Sequence, residues 1–193
     1  MTPPKRRDNH QATQDFIAYY AGELDSTGDD FYSANIDIVH HQIHVGNHYI
    51  KTVAGTINAG TAVALAIAIR PAIGTVIHLS GELTADKAGY WELYENPDIS
   101  VYGSTFVPFN SNRNSTDMSA GTYNSTLTIA SLGTLIQGPR YIGASAPSSK
   151  VGGGDSTRHE WMLNPGYEYL WWYVADGATT KVSAELQFYE VDA

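Results

Sequence analysis

Four histidines lie close together near the start of the chain and are the residues best suited to metal chemistry. They are His40, His41, His44 and His48, within nine positions. Neutral imidazoles are common metal ligands, and two of them on one face of a β-strand can share an ion. The pattern over residues 36–44 predicts a strand with His40 and His44 on the same face. Their spacing is four rather than two and no further ligand follows, so we expect polar packing or a subunit contact and no metal.

Motifs for other catalytic chemistry are incomplete. The chain has no cysteine and therefore no thiolate nucleophile. The stretch 143–147 lacks the second glycine of a nucleophile elbow. The glycine run 152–154 lacks the Lys-Ser/Thr ending of a phosphate-binding loop. Glu92 and Glu95, which have the chemistry of a glycosidase pair, lie on opposite faces of one predicted strand. We expect no enzyme and no cofactor, and a metal-dependent, cupin-like enzyme stays open as an alternative.

The aromatic residues near the C-terminal end could instead form a sugar-stacking platform. Within the predicted strand at 167–174, both faces are apolar, which is typical of a strand buried on both sides. We therefore expect this strand to lie in the core first, at a subunit interface second, and in a sugar-binding site only third. One face carries Tyr167, Tyr169, Trp171 and Tyr173, and the other carries Leu170, Trp172 and Val174.

Composition narrows both the partners and the fold. The net charge is −9, and only 16% of residues are charged. Such a chain repels phosphate backbones, so we expect no nucleic-acid partner. The apolar run at 61–69 is too short to cross a membrane as a helix, so we expect no membrane partner. Abundant β-branched residues, 18 glycines and 13 tyrosines favour strands and turns. We predict an all-β, antiparallel two-sheet β-sandwich, jelly-roll-like.

Local sequence patterns predict the turns, strands and loops around these residues. Gly46-Asn47 predicts a tight turn after the histidine-rich segment, and 61–69 predicts a buried strand. Residues 103–122 are rich in Asn and Ser and predict a long exposed loop. A second, flexible loop is predicted at 143–156.

The first 34 residues differ from the rest and are predicted to form an extended N-terminal arm, with the β-sandwich domain at 35–193. Between Gln14 and Asp30 there are five acidic residues and no Lys or Arg. The same stretch contains Phe16, Ile17, Tyr19 and Tyr20. The arm is predicted to be either a flexible tail or a segment that docks these side chains on a neighbouring subunit.

Four segments carry a family resemblance. They are His40–Tyr49, Phe109–Ser115, Leu163–Tyr167 and Leu186–Glu190. Together they resemble small tailed-bacteriophage virion proteins of the capsid decoration or auxiliary head type. The resemblance covers roughly residues 36–190 and implies a sandwich on the outer surface of an icosahedral shell. It implies a homo-oligomer, with a trimer favoured, that binds the major capsid protein and is located in the virion.

Subunit or capsid contacts are predicted in the arm and in the Asn-rich loop. Two alternatives stay open: a tail, baseplate or fibre-tip module that binds a host glycan, and the cupin-like enzyme. The predicted contact residues are Phe16, Ile17, Tyr19, Tyr20, Asn110, Asn112, Arg113 and Asn114.

Overall fold

The computed structural model of the chain describes residues 38–58, 65–142, 160–177 and 179–193. These residues contain one short helix, α1 (Ile38–Val45), and thirteen β-strands. The strands are β1 (His48–Ile57), β2 (Leu65–Arg70), β3 (Thr75–Ala85), β4 (Gly89–Glu95), β5 (Asp98–Val101), β6 (Ser104–Phe106), β7 (Phe109–Asn110), β8 (Thr122–Ser125), β9 (Thr128–Ser131), β10 (Thr134–Ile142), β11 (Trp161–Leu163), β12 (Tyr169–Ala175) and β13 (Thr180–Asp192).

Eight of these strands form two antiparallel sheets in jelly-roll order. One sheet has the order β11-β3-β13-β1 and is extended by β7; we call it the β13 sheet. The other has the order β10-β4-β12-β2 and is extended by β8 and β6; we call it the β12 sheet. From β1 to β13 these eight strands change sheet at every connection except the one from β4 to β10. The predicted antiparallel, jelly-roll-like sandwich is confirmed. The predicted arm at 1–34 and the loop at 143–156 lie outside the described residues.

The core lies between the two sheets, because alternate side chains of each strand point inward. On β13 the inward side chains include Leu186 and Phe188, which are almost completely buried. On β12 they include Tyr169 and Tyr173. Burial raises the pKa of each of these two tyrosines to about 12, so both hydroxyls stay neutral at physiological pH.

Three tryptophans fill one side of the space between the sheets. Trp91 contacts Trp161 and Trp171 edge to face, with ring centroids 5.9 and 5.7 Å away. The Trp171 ring lies directly over Gly81, where a Cβ atom would collide with it. The cleft that these rings and their neighbours leave is apolar and has room for about one water molecule. The interior is therefore packed with aromatic side chains.

The residues before β1 form a helix, so the strand predicted at 36–44 is wrong over the residues that the structure describes. The helix ends at a glycine in the left-handed conformation, Gly46, with φ of 84°. Its N–H donates to the Ile43 carbonyl at 3.1 Å, and the Asn47 N–H donates to the Gln42 carbonyl at 2.9 Å. This pair of bonds is the Schellman arrangement that terminates helices. Within the described part of the chain, no helix is long and apolar enough to cross a membrane.

A 38-residue insertion connects β4 to β10; it comprises residues 96–133. Its β7 pairs with β1, and its β8 pairs with β2, so the insertion extends both sheets. The long exposed loop predicted at 103–122 is therefore partly wrong, because β6 and β7 lie within it. The insertion also covers the outer face of the β12 sheet, where Leu127 and Ile129 pack over the buried Leu170. Strand β12 is thus buried on both faces, as predicted.

The antiparallel pairing fixes which connections share an end of the sandwich. We call the end that carries the insertion the insertion end. It also includes Gly46-Asn47, the turn at 71–74, the loop at 164–168 and the last residues of β13. The connections at 86–88 and 176–177 lie at the opposite end.

Candidate functional site

Hydrogen bonds join three of the four segments that carry the family resemblance at the insertion end. The Asn110 side chain donates to the Gly46 carbonyl at 2.7 Å. The Ser111 N–H donates to the His48 carbonyl at 2.9 Å. At the end of β13, the Glu190 N–H donates to the Asn47 carbonyl at 3.1 Å. These hydrogen bonds join the turn before β1, strand β7 with the residue after it, and β13. We call Gly46, His48, Asn110, Ser111 and Glu190 the insertion latch.

Asn110 is the central residue of the latch. It is 7% exposed, and besides Gly46 its amide donates to the Asp117 carbonyl at 3.1 Å. Its oxygen accepts from the Asn112 N–H at 2.9 Å. Through these bonds, the buried Asn110 amide holds residues 110 and 117 of the insertion together and ties them to the turn before β1. The structure therefore places this predicted contact residue inside the chain, where it serves the fold.

The other predicted contact residues lie nearer the surface or outside the described residues. Asn112 is half-buried and donates to the His44 carbonyl at 3.1 Å. Arg113 and Asn114 are exposed, and their role as contacts stays a prediction. Phe16, Ile17, Tyr19 and Tyr20 lie outside the described residues.

The histidines are in different surroundings. His48 is buried and its Nδ1 lies 2.7 Å from the Ser111 hydroxyl. Burial lowers the pKa of His48 below its ordinary value of 6.5, because the charged ring would lose its hydration. His44 is exposed. Among the described residues, no group of three or more His, Cys, Asp or Glu side chains could hold a metal ion.

Glu190 binds the far part of the insertion. Its carboxylate accepts hydrogen bonds from the Ser119 hydroxyl, from the Ala120 N–H at 3.0 Å and from the Tyr123 hydroxyl at 3.2 Å. Burial, together with this carboxylate, raises the pKa of Tyr49 to about 12 and raises that of Tyr123 further. Charge-assisted bonds to a single carboxylate fix the loop against the end of β13.

The latch supports a surface with exposed apolar side chains and few charges. Only three of the 38 insertion residues are charged. Two of its apolar side chains, Val101 and Met118, are 54% and 69% exposed. Large exposed apolar groups with few charges are typical of protein interfaces. The exposed apolar residues at this end include Val45, Ile73, Val101, Tyr102, Val107, Phe109, Met118 and Tyr167.

Phe109 differs from the other exposed residues because two cations flank it. The Lys51 Nζ lies 5.0 Å from its ring centroid, and the Arg113 guanidinium lies 5.8 Å from it. The Phe109 side chain is 58% exposed. We call Lys51, Phe109 and Arg113 the cationic aromatic patch. Sequence reasoning missed Lys51 and Phe109, because only the pairing of β7 with β1 brings them together.

Most aromatic side chains of the candidate sugar-stacking platform are buried. Tyr169, Trp171 and Tyr173 are buried between the sheets. Tyr102 is 38% exposed and donates to the Glu168 carboxylate at 2.7 Å. The Arg70 guanidinium lies 4.3 Å from the Tyr102 ring centroid.

Comparison of this chain with protein-family models, with curated proteins and with solved structures gives no match. The resemblance to phage virion proteins therefore stays a prediction.

Proposed function

We propose that the protein is a structural component of a tailed-phage particle, a decoration or cement protein that binds the outer surface of the head. In this proposal the insertion end contacts the major capsid protein. The single observation that carries the proposal is the concentration of exposed apolar side chains, on a charge-poor insertion, at one end of the sandwich. The virion location comes from the family resemblance, since a jelly roll by itself hosts many functions.

The tight packing around the three tryptophans favours a structural role over a cupin-like enzyme whose substrate would bind at this point between the sheets. A pocket for a small-molecule substrate occupies about 300 Å³ or more. The cleft beside Trp91, Trp161 and Trp171 has room for about one water molecule. A substrate could enter the space between the sheets here only if these tryptophans moved. Next to these tryptophans, the described part of the sandwich is packed with side chains and offers no space for a substrate.

The insertion end suits repeated weak contacts on a lattice. A homo-oligomer, with a trimer favoured, would present the same end several times to a shell of identical subunits. Linked contacts raise the overall affinity well above that of one contact, because the later binding events are intramolecular. The latch contributes by holding the exposed side chains in one arrangement, which reduces the entropy lost on binding.

Co-sedimentation with expanded empty phage heads tests the proposal. The test variant is Val101→Asp combined with Met118→Asp, which places charge among the exposed apolar residues of the insertion. The matched control is Tyr141→Asp combined with Met162→Asp, because these residues are 78% and 67% exposed on β10 and β11. Thermal unfolding of each variant confirms folding before binding is measured.

We expect the unmodified chain and the control to bind heads equally, and the insertion variant to bind at least about tenfold more weakly, a loss of about 1.4 kcal/mol. Equal binding of the test and control variants would contradict the role of the insertion end. Failure of the unmodified chain to bind heads would contradict the capsid function.

A fibre-tip module that binds a host glycan is the second candidate function. One group of neighbouring surface side chains supports it. Tyr102, Arg70 and Glu168 combine a partly exposed ring, a guanidinium and a carboxylate, which are groups that stack on sugars and bind their hydroxyls. A glycan array with the purified protein and its Tyr102→Ala variant tests it. Selective binding that the substitution abolishes would favour this candidate, and absence of binding would contradict it.

A further inference from the structure

The cationic aromatic patch has two positive charges and no acidic partner in the part of the chain that the structure describes. Lys51 and Arg113 both lie within 6 Å of the Phe109 ring centroid, at 5.0 and 5.8 Å. Neither makes an ion pair with a described residue. Arg70, in contrast, lies 3.5 Å from the Glu168 carboxylate.

Cation–π contacts with the Phe109 ring, and for Lys51 also with the Phe106 ring at 5.8 Å, hold the two cations here but leave their charges without a carboxylate partner among the described residues. Two like charges beside one ring repel each other, and the exposed Phe109 side chain leaves apolar surface in water. An incoming group with carboxylates and an aromatic or aliphatic side chain would relieve both features. The patch therefore fits an acidic segment that also carries apolar side chains.

We propose that the patch binds residues 14–30 of a second copy of this chain. This segment has five carboxylates and no basic residue, and it contains aromatic side chains. Its residues lie outside the described ones, and its sequence alone supplies the complementary chemistry. The aromatic groups would pack on Phe109 while the carboxylates pair with Lys51 and Arg113. The segment carries Asp15, Phe16, Tyr19, Tyr20, Glu23, Asp25, Asp29 and Asp30.

This inference rests on the part of the proposed function that makes the protein a homo-oligomer, and not on its capsid location. A head-to-tail contact, in which a segment of one copy binds a different surface of the next, closes into a ring when the rotation allows it. Such a ring would produce the cyclic trimer that the proposed function favours.

Sedimentation equilibrium of the full chain, at concentrations up to about 100 µM, tests the inference. One variant reverses the patch, with Lys51→Glu and Arg113→Glu. A second neutralises the segment, with Asp15, Asp25, Asp29 and Asp30 changed to Asn and Glu23 changed to Gln. The matched control is Lys87→Glu with Lys181→Glu, which makes the same change in net charge at the opposite end.

We expect the unmodified chain and the control to self-associate with constants within about twofold of each other, and both test variants to associate at least about tenfold more weakly. Association of the unmodified chain should also weaken between about 0.05 and 0.5 M salt, because salt screens exposed charges. A third chain with Asp25→Lys and Asp29→Lys in the segment should restore association when mixed with the reversed-patch variant.

Three results would overturn the inference. They are a monomeric unmodified chain at the highest concentration, a test variant that associates as well as the unmodified chain, and a control that weakens as much as the reversed patch. A chain that binds heads as a monomer contradicts this inference and the homo-oligomer, but not the capsid function. A chain that associates through the patch but does not bind heads contradicts the capsid function alone.

Discussion

The space between the two sheets and the insertion latch are held together by different kinds of contact. Between the sheets, aromatic and aliphatic side chains pack against one another. In the latch, amide, hydroxyl and carboxylate groups make hydrogen bonds, many of them to backbone groups. Phe188 in the interior packs against Tyr49 and Tyr123, with centroids 5.5 and 5.2 Å away. Asn110 in the latch instead holds three backbone groups by directed hydrogen bonds. Burial of apolar area is non-directional, whereas hydrogen bonds fix geometry.

The interior and the latch have different roles. The interior supplies stability, and the latch determines where the exposed residues of the insertion lie. Loops that carry function need such positioning, because loops without packed side chains adopt many conformations. Damage to the interior should therefore reduce global stability most, while damage to the latch should act mainly on the insertion.

The largest expected effect comes from the interior. Phe188→Ala should lower the free energy of unfolding by about 3–5 kcal/mol, because it removes a fully buried ring and leaves a cavity. Chemical denaturation measures the change. Tyr141→Ala, at a side chain 78% exposed, is the control and should change stability by about 0.5 kcal/mol or less. A loss below about 1 kcal/mol for Phe188→Ala would show that the interior is not the main source of stability.

The latch should give a smaller and more local effect. Asn110→Ala should cost about 2 kcal/mol, because it leaves the buried Gly46 carbonyl without its donor and removes two further bonds. Hydrogen exchange should accelerate over residues 109–121 before it does in β12. Asn114→Ala is the matched control at an exposed position, with an expected change of about 0.5 kcal/mol or less. Equal effects of the two substitutions would contradict the latch.

The smallest expected effect is a dependence of stability on pH through His48. Burial lowers the folded-state pKa of His48. As the pH falls below 6.5, this histidine is therefore protonated in the unfolded chain before it is protonated in the folded protein. Stability is therefore retained above pH 6.5 and lost as the pH falls toward the folded-state pKa. The slope of unfolding free energy against pH should decrease in His48→Asn and persist in His44→Asn. An unchanged slope in His48→Asn would show that another group is responsible.

The sequence predicted the sandwich strands best, where one physical signal dominates. In strands β4 and β12, alternate residues fall on the two faces that a strand period of two indicates: one set packs in the core between the sheets and the other in the outer cluster. The apolar residues on both faces of β12 correctly predicted burial on both sides. The strands β6 and β7 are three and two residues long and too short to show such alternation, and they join existing sheet edges through backbone pairing.

The helix α1 was missed because Gly46 fits two structures. A glycine followed by Asn is typical of a tight turn and equally of a helix end. The basic His44 in the last turn also favours the helix end. The cationic aromatic patch could not be predicted locally, since Lys51 and Phe109 are far apart in sequence and meet only through the pairing of β7 with β1.

Hydrogen exchange of the protein bound to empty heads, compared with the free protein, is the decisive test of capsid binding through the insertion end. We expect slower exchange in residues 97–121, at the insertion end, and unchanged exchange in the connections at 86–88 and 176–177. Protection confined to the opposite end, with no change across the insertion, would show that the insertion end is not the binding surface.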